Sequence, residues 1–100
     1  MTLRVYKAVM RAADLTLRTF GNRDNSPVIN MDISAHCDFV NIRFYKDGWK
    51  PDTQPTYNMD FCFEWGDRKA DALNRQLDII EGEIRAWEAL NKKEEDGADE

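Results

Sequence analysis

Tyr57-Asn58-Met59-Asp60-Phe61-Cys62-Phe63-Glu64-Trp65 decides the fold. Every odd position is apolar or aromatic, and the even ones hold Asn58, Asp60, Cys62 and Glu64. A period of two belongs to a strand with one buried and one wet face, the antiparallel pattern. The same alternation occurs twice upstream. Ile29, Met31, Ile33, Ala35 and Cys37 alternate with Asn30, Asp32, Ser34 and His36; Val40, Ile42 and Phe44 alternate with Asn41, Arg43 and Tyr45. Three antiparallel strands follow. A tight connection near 36–39 joins the first pair, and Asp47-Gly48 turns the second into a proline-flanked loop, 49–56.

Outward from the strands the period lengthens to that of a helix. Gly66-Asp67 breaks the alternation, Asp67 is a good N-cap, and Ala70, Leu73, Leu77, Ile80, Ile84 and Trp87 recur at 3-4 spacing, predicting a helix over 67–93. Glu81/Arg85 and Glu88/Lys92 are acid-before-base pairs four apart, the favourable order on a helix surface. On the other side, Thr2 caps a helix over 3–20. Leu3, Tyr6, Met10, Ala13, Leu17 and Phe20 form its expected buried stripe, with Val5, Val9 and Leu15 beside it and Gly21 as a left-handed cap. The expected fold is α+β: helix-strand-strand-strand-helix, a three-stranded antiparallel sheet with both helices on one face. Residues 1–93 make a single domain, and 94–100 a disordered acidic tail.

One hundred residues suffice for one core. With 42% hydrophobic and 33% charged residues, the composition is neither disordered nor membrane-embedded. No apolar run nears the roughly 18 residues of a spanning helix, and no signal peptide opens the chain, so a cytoplasmic location is expected. Cys37 and Cys62 lack metal-type spacing and are expected as free thiols, the first buried and the second on the wet face. The net charge of −5 is uneven. Residues 1–59 hold eight basic and six acidic side chains; residues 60–100 hold six and thirteen, a balance of −7.

Parity places Asp32, His36, Asp60 and Glu64 on the wet sheet face. Metal or acid–base chemistry needs such groups to converge in a pocket, which an open sheet does not offer, and Arg43 on the same face would neutralise carboxylates across strands. With one histidine and no phosphate loop or nucleophile elbow, no enzyme, metal or cofactor is expected. Arg4, Lys7, Arg11 and Arg18, with Arg23 in the following loop, form a basic stripe. It can contact phosphate or an acidic partner, or pair with the acidic second helix. Double-stranded-RNA-binding domains share the element order, but their lysine-rich run opening the last helix is here Asp67-Arg68-Lys69-Ala70-Asp71, so that family is not assigned.

Phe39 and Tyr45 share the wet-face parity, and Trp49 follows in the loop. Loops carry recognition more often than packed faces do. Tyr45, Trp49, Lys50, Asp52 and Gln54 are therefore the expected partner-binding residues. The second helix should overhang the sheet at Trp87 and Leu90, an invitation to a homodimer. The functional expectation is a small non-catalytic module binding a larger protein, of the kind phages and mobile elements use as inhibitors or adaptors of nucleic-acid machinery, anti-CRISPR proteins among them. An RNA- or DNA-binding module using the basic stripe with Phe39 and Tyr45, or a structural subunit of an assembly, are the other two classes. No membrane partner is expected.

Overall fold

The computed structural model describes residues 2–22, 25–62 and 66–98, with side chains through Asn91. Helix α1 (Leu3–Arg18) is followed by strands β1 (Val28–Ser34), β2 (Phe39–Tyr45) and β3 (Tyr57–Cys62), and then by helix α2 (Asp67–Ala98). The sheet is antiparallel in the order β1-β2-β3. Met31, Ile42 and Met59 share one row, and Asp32, Asn41 and Asp60 the next. Both helices cover the face that carries Ile29, Val40, Ile42, Phe44 and Phe61, as the alternation predicts. Phe44 stacks on Tyr57 with ring centroids 6.1 Å apart.

The two helices run parallel, joined by a polar seam. Thr2 caps α1 by accepting the Val5 amide at 3.2 Å, and its hydroxyl donates to Asp67 at 2.7 Å, tying the two N-termini together. Further along, Arg4 meets Asp71, Arg11 meets Asp78 (2.7 Å) and Glu81 (3.6 Å), and Arg18 meets Glu88. Arg11 also donates to the Asn74 carbonyl and side chain. Glu81 holds Arg85 as well, the acid-before-base pair read from spacing.

That seam corrects the predicted orientation of α1. Its core face is Val5, Ala8, Val9, Ala12 and Leu15. The stripe expected inside lies outside: Leu3 is 67% exposed, Tyr6 and Met10 51%, Leu17 63% and Phe20 79%. The reason is physical. Arg4, Arg11 and Arg18 turn toward the acids of α2, and the small Ala8 and Ala12 on the adjacent arc let the helix approach its neighbours closely. Had Leu17 and Phe20 turned inward, the arginines would have lost their partners.

Helix α1 ends at Thr19, which is fully buried. Its hydroxyl donates to the Thr16 carbonyl (2.9 Å) and accepts the Ile29 amide (3.0 Å), so one side chain joins the helix end to β1. Gly21 follows at φ +79°, the left-handed geometry expected of it.

The β1–β2 connection is a turn over 35–38 in which Asp38 takes φ +52°. This shortens β1 and corrects the placement of Cys37, which is exposed in the turn rather than buried; Cys62 is half-buried, and both are free. In native protein, a thiol-reactive reagent is expected to label Cys37 first and Cys62 more slowly. Equal rates by mass spectrometry would contradict the turn. Ile33, though on the core parity, is 56% exposed because β1 is an edge strand and Ile33 lies near its far end.

Candidate recognition surface

Where β2 ends, two connections converge. Gly48 donates its amide to the Tyr45 carbonyl and takes φ +93°, while the Asn25 amide donates to the Asp47 carbonyl at 2.9 Å, fastening the α1–β1 connection to the β2–β3 loop. The loop is held at its far end too: Thr56 N–H reaches the Phe44 carbonyl at 2.7 Å, and the Lys46 amide donates to the Thr56 hydroxyl. Between these clamps a turn closes from Lys50 to Thr53, with Asp52 at φ +66°.

This frame leaves Trp49 53% exposed, with Lys50, Asp52 and Gln54 exposed beside it. Tyr45 does not join them. It is buried, against expectation, because it occupies the sheet end where the two fastened connections meet. Phe39, at the opposite end of β2, is 38% exposed and stands apart from the loop.

Beside the loop lies a groove of about 320 Å³ lined by Pro27, Lys46, Asp47, Ala86, Trp87 and Leu90, among others. Its lining combines apolar side chains with the charged Lys46, Asp47 and Glu83, and Lys46 pairs with Glu83 at 3.6 Å. Protein-recognition sites combine apolar and polar side chains. Trp87 and Leu90 stood out in the sequence only as overhanging helix positions. Their meeting with Pro27 and Lys46 depends on tertiary packing. A second groove, of about 240 Å³, runs between β3 and α2 past Met59, Phe61 and Leu73.

The other predicted constellations are used internally. Asp32 bridges Arg43 at 2.8 Å, as foreseen, and Asn41 donates to Asp60 at 2.7 Å. Asp32 and Asp60 flank Asn41 from opposite strands, which sets their backbones about 9.5 Å apart. His36 lies in the exposed turn beyond β1, and Glu64 falls outside the described residues. Among the described residues no group of three His, Cys, Asp or Glu is placed to hold a metal ion. Of the basic stripe, Arg4, Arg11 and Arg18 are engaged by α2, Lys7 is exposed, and Arg23 lies outside the described residues. No helix among the described residues is long and apolar enough to cross a membrane.

Compared with protein-family models, with curated proteins and with solved structures, the chain matches none.

Proposed function

We propose that this protein is a small non-catalytic binding module that docks on a larger protein through the Trp49 loop and the adjoining groove. The reading rests on one observation: a loop hydrogen-bonded at both ends holds an exposed tryptophan next to a groove lined by apolar and charged side chains. A pre-ordered aromatic loses little freedom on docking, and Trp is prominent among the residues that dominate interfaces. The −7 balance of residues 60–100 favours a partner with a basic surface. Proteins that handle nucleic acids have such surfaces, and a phage-type inhibitor or adaptor of that machinery would act in this way.

The test is affinity capture of the partner, followed by titration with variants that melt like the parent. Trp49→Ala is expected to weaken binding by about thirtyfold or more, the effect of removing an interfacial anchor. Asp60→Asn on the wet sheet face is expected to change it less than threefold, since exposed charged groups contribute little. A larger loss from Asp60→Asn than from Trp49→Ala would move the functional surface to the sheet.

A further inference from the structure

Helix α1 has two apolar faces, and only one meets the core. The outward face carries Leu3, Tyr6, Met10, Ala13 and Leu17, continued by Phe20 in the turn just past the helix, a 3-4-3-4-3 repeat over about five turns, with the large members more than half exposed. Such a repeat is the seam of a two-helix coiled coil. We infer that the occupant of this face is a second copy of the same chain, with its α1 antiparallel to the first.

Two features of the stripe select that occupant and direction. The first is size. Antiparallel pairing about the middle of the stripe sets Leu3 against Phe20 of the second copy, Tyr6 against Leu17, and Met10 against Ala13. The longest flexible side chain then fills the space beside the smallest. Parallel pairing would stack Ala13 on Ala13 and leave a void, which close packing disfavours.

The second feature is charge. Lys7 and Asp14 flank the stripe on one side, and neither makes an ion pair among the described residues. In the antiparallel pair they face each other with an axial offset of about 3 Å, well within a lysine's reach, and the two-fold axis makes two such pairs. In a parallel pair Lys7 would face Thr2 and Val9, and no opposite charges would meet. The arginines do not interfere, because Arg4, Arg11 and Arg18 are turned toward α2.

The area is modest. Five large side chains exposing about 100 Å² each give roughly 1,000 Å² over two copies, just under the standard range for specific interfaces. The dimer is therefore expected to be weak and concentration-dependent.

Sedimentation equilibrium of the full chain from about 1 to 500 μM is expected to show the mass rising from 11.7 kDa toward twice that value. Leu17→Glu, at an exposed position, should abolish the rise while melting like the parent. Lys7→Asp should weaken association by about tenfold by opposing two like-charged pairs, and adding Asp14→Lys should restore it. A chain that stays monomeric throughout overturns the inference. So does a dimer that survives Leu17→Glu, or one indifferent to Lys7→Asp alone. Because Trp49 is no part of this stripe, loss of the dimer leaves the binding reading under Proposed function untouched.

Discussion

Phe44→Ala is expected to lower stability by about 3–5 kcal/mol, the usual cost of truncating a buried aromatic. Phe44 is fully buried on the central strand, beneath both helices, and stacks on Tyr57 from β3. No neighbour can collapse into the space, because each strand beside it is fixed by the ladder. For a domain of this size that loss corresponds to a fall in Tm of roughly 15–30 °C. Phe61→Ala, 2% exposed on an edge strand, should fall in the same range, and Cys62→Ala, half-buried with its side chain on the opposite face, well below 1 kcal/mol. Urea melts that ranked Cys62→Ala above either phenylalanine would mean that the sheet faces are exchanged.

The second large effect concerns a hydroxyl. Thr19→Val keeps the shape of the side chain but removes the acceptor of the Ile29 amide and the donor to the Thr16 carbonyl. Leaving a buried amide unsatisfied costs about 1–3 kcal/mol, so a loss near 2 kcal/mol is expected. Thr19→Ser keeps both hydrogen bonds and loses only a methyl group, so it should cost about 1 kcal/mol. If valine proves as stable as serine at this position, the hydroxyl is not what joins α1 to β1.

The sheet was legible because each strand has one apolar face only. In Tyr57–Cys62 and Phe39–Tyr45 the alternation admits a single inward choice, and the observed register follows it. Helix α1 offered two choices. Its stripes Leu3-Tyr6-Met10-Leu17-Phe20 and Val5-Ala8-Val9-Ala12-Leu15 both repeat at helical spacing a little over a third of a turn apart, and choosing by side-chain size selects the wrong one. The sequence cue that separates them is Arg4, Arg11 and Arg18, whose pairing with α2 is compatible with the observed rotation of the helix and not with the other. Of the proposed recognition surface, Trp49, Lys50, Asp52 and Gln54 were legible as a proline-flanked loop. Tyr45 was misplaced because parity describes the sheet and not the connections that fold across its end. Thr19 was read as ordinary helix, since nothing local distinguishes a threonine that bonds a residue ten positions away.

The parallel seam between α1 and α2 also sets the order in which the molecule can be made. Residues 4 and 71, or 11 and 78, are some 67 positions apart, while the hairpins of 28–62 join near neighbours. Contacts of such separation form late, after local pairings have shortened the loop to be closed. On a ribosome adding about 5–20 residues per second, α1 emerges roughly 3–13 s before its partner helix exists. Throughout that interval both of its apolar faces are open to other chains. The helix on which we propose that a second copy docks is thus the nascent segment most in need of a chaperone's cover.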